Sequence, residues 1–176
     1  MGDLFFHKVT SLQQHAVFDA MMEAPQHTYF ILTKRPCAMI DAIVRYFGST
    51  AALPKHWWWG VSVEDMSTVH RAVELLKIGG GNIFVSAEPL LGDLLFPPDV
   101  LKALKWCIIG GETGHGARPV NFEWAVSLFG QCRESGIPYL AKNFPTILNP
   151  PLFVQPEVAQ RMADAFKVRE FPMELA

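Results

Sequence analysis

Short apolar runs that close on a small residue, a spacer and a glutamate recur along the chain. Val61-Ser62-Val63-Glu64 is followed 24 positions later by Val85-Ser86-Ala87-Glu88, and 24 later again by Ile109-Gly110-Gly111-Glu112. The residues ahead of each copy (Trp57 to Gly60, Ile83-Phe84, Trp106 to Ile108) are almost entirely apolar. Runs of this kind suit strands covered on both faces, as in a parallel sheet. A repeat of that length holds one strand, one helix and two short loops, which is one βα unit. With Thr28 to Leu32 before the repeats and Ile137 to Ala141 after them, the pattern predicts parallel strands near 28–33, 57–63, 82–87, 106–110 and 137–141.

Between the runs the apolar spacing changes to that of helices. Thr10 and Gln13 fit a capping box, with Leu12, Ala16, Val17, Ala20 and Met21 as the inward face of a helix that Pro25 ends. Pro36 opens a second helix with Met39, Ile40, Ile43, Val44 and Phe47 inward, stopping at Gly48. Asp65 or Ser67 caps a third whose Val69, Val73 and Leu76 face the sheet. Pro97-Pro98-Asp99 opens a short fourth, and Asn121 caps a fifth with Ala125, Phe129 and Cys132 inward. The expected fold is α/β: parallel βα repeats in about five strands, forming a partial (β/α) barrel or an open curved sheet. Right-handed crossovers place consecutive strands side by side. Residues 1–142 form this core, and 143–176 are a Pro-rich extension with one helix from Pro156 to Phe166, packed on the same domain.

Composition narrows the picture only modestly. A chain of 176 residues is one domain, able to bury roughly 70% of its unfolded surface. The formal net charge of -2 gives no global basic footprint, so nucleic acid as a partner gains no support from charge. Cys37, Cys107 and Cys132 form no C-x-x-C pair, so neither a zinc nor a cluster site is visible and buried, reduced thiols of a cytoplasmic protein are expected. No apolar stretch reaches the 18 or so residues of a membrane span.

Chemistry gathers at the carboxyl ends of the expected strands. Glu64, Glu88 and Glu112 are expected to converge there with Lys34, Arg35, Arg118 and Lys142, beside Ser62 and Ser86. Carboxylates brought close raise one another's pKa, which would let one of them hold a proton and act as acid or base. Gly110 and Gly111 open a glycine-rich loop able to turn backbone N–H groups toward an anion. That loop lacks G-x-G-x-x-G and the P-loop Lys-Ser/Thr, and no H-E-x-x-H or Ser/His/Asp order occurs. Ion pairing within the rim would explain the same charges without a ligand. The near balance of sign favours a small anionic or zwitterionic ligand, such as an amino acid joined to a nucleoside.

Four ordered motifs carry a resemblance. Leu32-Thr33-Lys34-Arg35-Pro36, Trp59 to Glu64, Ser86 to Gly92, and Ile109 to Gly114 with Ala117-Arg118-Pro119 resemble the phage and bacterial gp-thirty-seven/gp-sixty-eight-like proteins. The function of that family is not established. The resemblance runs from Met1 to about Lys142 and implies a radical-SAM-like partial barrel. For the longer family form, with its three-cysteine motif, the resemblance implies a [4Fe–4S] cluster and S-adenosylmethionine. This chain lacks that motif and begins with residues that resemble the stretch just downstream of it. The resemblance therefore implies the C-terminal part of a radical-SAM-like enzyme, without cofactor and inactive alone. Lys34, Arg35, Arg118 and Lys142 would then be ligands for carboxylate or phosphate. A non-catalytic module for a nucleotide or nucleic-acid phosphate is the alternative, and a metal-dependent hydrolase on the three glutamates comes third. Missing first strands would leave an edge beside the Thr28 strand, covered by self-association or by the tail.

Overall fold

A computed structural model describes residues 2–144, the backbone of 147–148, and residues 167–173. The expected tail helix from Pro156 to Phe166 lies outside the described residues. The elements run α1 (Ser11–Glu23), β1 (Tyr29–Thr33), α2 (Pro36–Phe47), β2 (Trp57–Ser62), α3 (His70–Leu75), β3 (Asn82–Ala87), α4 (Pro98–Ala103), β4 (Trp106–Ile109), β5 (Val120–Asn121), α5 (Phe122–Glu134), β6 (Tyr139–Ala141) and β7 (Ile147–Leu148). Five strands form one open parallel sheet in the order β1-β2-β3-β4-β6. The pattern did not announce β5 and β7, which pair parallel as a separate two-stranded piece.

Period-two alternation sorts the side chains onto two different faces. Trp57, Trp59, Val61, Ile83, Val85, Ala87, Cys107, Ile109, Tyr139 and Ala141 join helix residues such as Phe18, Met39, Ile43, Leu75, Val100, Leu128 and Phe129 in the main core. The alternate residues Trp58, Phe84 and Trp106 form a second, smaller cluster that Ile108 and Leu140 border. No described helix contributes to that cluster, so the helices lie on one side. All three residues of the Trp57-Trp58-Trp59 run are fully buried, split between the two faces, and none is free to stack on a base.

The sheet is curled, concave on the side away from the helices. Strands about 4.8 Å apart would place β1 and β4 about 14 Å from each other in a flat sheet. Yet the rings of Phe30 on β1 and Trp106 on β4 have centroids 5.6 Å apart. Phe30 also meets Phe84 at 5.9 Å and Trp58 at 6.0 Å. Gly60 sits in the row of Phe84 and leaves the space that the Phe84 ring occupies.

Three helices bury a different stripe from the one expected, or only part of it. In α1 the buried residues are Gln14, Phe18 and Met21, whereas Leu12 and Val17 face outward. Gln14 is held inside because its amide donates to the Leu4 carbonyl (3.2 Å) and accepts from Arg45 (3.0 Å), so burial leaves it satisfied. The Thr10–Gln13 capping box forms as expected. In α2 the stripe is Met39, Ala42 and Ile43, with Val44 exposed. Asp65 caps a 3₁₀ turn at Met66–Thr68 before α3, and that turn rotates Ala72 and Leu75 inward and Val73 outward.

Candidate ligand site at the carboxyl edge of the sheet

The register decides which of the expected residues meet. Val61 stands beside Val85 and Ser62 beside Ser86, both 24 positions apart, so the first two copies of the repeated phrase are aligned. Val85 stands beside Cys107, which is only 22 positions on. The third copy is therefore pushed two residues beyond the other two. Because the shift is even, the facing of the side chains is kept. Glu112 thus falls beyond the strand end, and the position level with Glu88 belongs to Gly110.

Hydrogen bonds from Gly110 N–H to the Ala87 carbonyl (3.1 Å) and from Lys142 N–H to the Ile109 carbonyl (2.8 Å) continue the ladder past the strand ends. Glu88, Gly110 and Lys142 consequently form one row. A Cβ on Gly110 would stand 2.5 Å from Glu88 Oε1, so the missing side chain is what lets the carboxylate lie across that position. Glu88 Oε2 accepts from the Ser86 hydroxyl at 3.1 Å and faces Lys142 Nζ at 3.4 Å, reaching a cation two strands away. The loop after Glu88 is fixed at both sides: Leu90 N–H donates to the Gly110 carbonyl and Leu91 N–H to the Glu64 carbonyl.

Above this row lies an open cavity of about 570 Å³, lined by Leu32, Ser86, Glu88, Pro89, Gly111, Glu112, Thr113, Lys142 and Asn143. It spans the rim from β1 to β6. Its volume falls within the usual range for small-molecule sites.

The other expected residues are engaged elsewhere. Glu64 is buried and pairs with Lys34 and with Arg71 Nη1 (2.8 Å), which also donates to the Ser62 carbonyl at 2.9 Å. Arg35 pairs with Asp3 and lies over the Phe6 ring at 4.9 Å, tying the N-terminal loop to the end of β1. The Gly111 N–H is taken by the Asn143 carbonyl at 2.6 Å and does not face an anion. His115 is exposed at the tip of the loop.

Glu112 and Arg118 close on each other. Gly114 (φ 105) and Gly116 (φ 75) supply left-handed turns that most side chains avoid, and the chain doubles back. Arg118 then meets the carboxylate through Nε (2.8 Å), Nη2 (2.9 Å) and its backbone N–H (2.9 Å). Hydrogen bonds from the guanidinium and then from the backbone hold the Glu112 pKa down at about 2. The expectation that crowded carboxylates raise one another's pKa therefore fails at Glu112, because the glutamates are each paired with their own cation.

A depressed folded-state pKa contributes stability that is present above the ordinary value of 4.5 and is lost as pH falls toward about 2. Carboxyl-resolved NMR titration is expected to give Glu112 a midpoint near 2. Arg118→Ala should return it toward 4.5, and an unchanged midpoint in that variant would refute the assignment.

Three contributors escaped the sequence pattern. Arg71 and Asp3 carry no periodic signal, since one lies seven residues past Glu64 on a short helix and the other in an irregular loop. Asn143 joins the rim through its carbonyl, which no residue type betrays. The cysteines divide, with Cys107 and Cys132 buried and Cys37 exposed, against the expectation that all three are inside. A hydrogen bond to Cys132, together with burial, pushes the Cys107 thiol well above its usual pKa.

No curated protein and no solved structure matches the chain. A family model does match, over residues 1–172, which is nearly the whole length. The chain belongs to DUF5131, a family of proteins of unknown function.

Proposed function

We propose that the chain binds a small zwitterionic ligand, of the type of an amino acid joined to a nucleoside, in the cavity above Gly110. In that reading it is the ligand-binding part of a radical-SAM-like enzyme of the phage and bacterial kind, with S-adenosylmethionine as the natural candidate. One observation carries the proposal: Glu88 and Lys142, of opposite sign, face each other on the cavity wall across Gly110. Their 3.4 Å separation is long for a charge-assisted hydrogen bond. A ligand ammonium can bind the Glu88 carboxylate and a ligand carboxylate the Lys142 ammonium, each replacing a weak contact with a good one. Leu32 and Pro89 offer an apolar wall, and Thr113 and Asn143 polar edges, for the rest of the molecule.

The [4Fe–4S] cluster implied for the longer family form does not fit the residues of this chain. Cluster ligands are thiolates that converge on one point. Cys37 is exposed on α2, and Cys107 and Cys132 lie in the core on the helix side of β4. Ligand binding, and not redox chemistry, is what these residues support. The nucleic-acid alternative is weakened because Lys34, Arg35 and Arg118 are held by Glu64, Asp3 and Glu112. The hydrolase reading is weakened because, among the described residues, no three His, Cys, Asp or Glu side chains are placed to hold a metal ion.

Calorimetric titration with S-adenosylmethionine, methionine, adenosine, ATP and single-stranded DNA tests the proposal. S-adenosylmethionine is expected to bind, and Glu88→Gln and Lys142→Ala are each expected to weaken it about ten- to a hundredfold, since a hydrogen bond to a charged group is worth about 1.5–3 kcal/mol. Absence of binding to any zwitterion would sink the reading. Tighter binding of ATP or DNA than of S-adenosylmethionine would favour the phosphate module.

A further inference from the structure

The two edges of the five-stranded sheet are finished differently. At β6 the chain supplies its own cover: Arg169 bridges antiparallel to Leu140, Ala141 N–H donates to the Val168 carbonyl, and Glu170 N–H donates to the Tyr139 carbonyl. Arg133 pairs with Glu170, and Phe171 packs on Trp106 with ring centroids 5.5 Å apart. At β1, Tyr29 N–H points to β2, where it donates to the His56 carbonyl, so the alternate residues Phe30 and Leu32 turn their N–H and C=O groups outward. Among the described residues those groups meet no backbone partner. The strand Tyr-Phe-Ile-Leu-Thr carries no charge and no proline, the usual devices that blunt an edge. The described tail residues thus cover the edge opposite the one that was expected to need covering.

We propose that β1 pairs antiparallel with β1 of a second copy of this chain, in a register centred on Ile31. This proposal rests on the open strand edge and not on the ligand reading, although Leu32 also borders the cavity. In that register Phe30 stands opposite Leu32 of the partner subunit, and Leu32 opposite the partner's Phe30. Each such pair exchanges two backbone hydrogen bonds, so every outward N–H and C=O of the two residues is satisfied. The same pairing places two half-exposed apolar side chains, Phe30 (47%) and Leu32 (44%), against their counterparts on one face. Charge agrees with it. Lys34 and Arg35 follow the strand and are drawn inward to Glu64 and Asp3. Antiparallel pairing sets the two Lys34 residues at opposite ends of the joint, about 20 Å apart at about 3.4 Å per residue. A joint of only five residues a side is small, so a weak dimer that forms at micromolar concentrations and above is expected.

Sedimentation velocity from about 1 to about 200 μM brackets that range. The parent protein is expected to shift from monomer to dimer, and Phe30→Lys and Leu32→Lys are each expected to stay monomeric with circular dichroism unchanged. Register is read separately in a Cys37→Ser background. A mixture of Phe30→Cys and Leu32→Cys chains is expected to cross-link on mild oxidation, because facing Cα atoms about 5.5 Å apart fall within disulfide reach. Neither variant alone should cross-link. A parent that remains monomeric throughout, a dimer that survives both lysine variants, or cross-linking of either cysteine variant with itself but not with the other overturns the proposal.

Discussion

Gly60→Val is expected to lower the unfolding free energy by about 3 kcal/mol, measured by urea denaturation, the upper part of what overpacking a filled core costs. A Cβ at this position would stand 2.3–2.6 Å from three atoms of the Phe84 ring. The ring cannot retreat easily, since it is 2% exposed and bounded by Phe30 and Trp106. The gain a strand usually draws from replacing glycine, about 0.5–1 kcal/mol, offsets only part of the clash. Phe84→Leu in the same background frees space at the point of contact. The double variant is therefore expected to be more stable than the sum of the two single losses predicts, by about 1 kcal/mol or more. A loss below about 1 kcal/mol for Gly60→Val, or strict additivity of the pair, would show that the concave cluster is loosely packed.

Arg71→Ala is expected to cost about 3 kcal/mol, and Lys34→Ala under about 1 kcal/mol, although both pair with Glu64. The difference is solvent. The side chains of Glu64 and Arg71 are 8% and 18% exposed, so removing the guanidinium strands a carboxylate with little water and also unpairs the Ser62 carbonyl. The Lys34 side chain is 54% exposed, and water replaces much of what it gives. Arg71→Lys should recover part of the loss, because one ammonium cannot serve both acceptors as well as the guanidinium does. Urea melts of the three variants decide the matter. If Lys34→Ala proved the more damaging, Glu64 would have to be assigned to the rim rather than to the scaffold.

Strand identity and order were legible because a buried parallel strand needs a continuous apolar run and little else. Tyr29–Thr33, Trp57–Ser62, Asn82–Ala87, Trp106–Ile109 and Tyr139–Ala141 all fall on runs visible in the sequence. Which glutamates meet was not legible. A repeated phrase reports similar local roles, whereas register depends on how each crossover packs, and the β3–β4 crossover is two residues shorter in effect. That shift moves Glu112 out to Arg118 and brings Gly110 beside Glu88. Helix faces failed for a related reason. Hydrophobicity suggested Leu12 and Val17, but hydrogen bonds to both ends of the Gln14 amide turn α1 the other way. The carboxyl-edge cavity could be anticipated from parallel topology alone, while its Glu88–Lys142 pair required the gap at Gly110.

Strand order that follows chain order has a kinetic meaning. Each strand from β2 to β4 pairs with the one made just before it, so the loops to be closed are short and the entropy of closure stays low. A chain emerging from the ribosome can assemble this sheet unit by unit, every new strand docking on an edge that already exists. The terminal edge is the exception. β6 is complete by Ala141, but its cover comes from Val168 to Glu170. For the time needed to synthesise those intervening residues, about 1–5 s at 5–20 residues per second, the growing sheet is open at both ends. Through that interval β6 offers an unpaired edge, a template on which chains can associate, and a premature stop before Val168 would leave it so permanently.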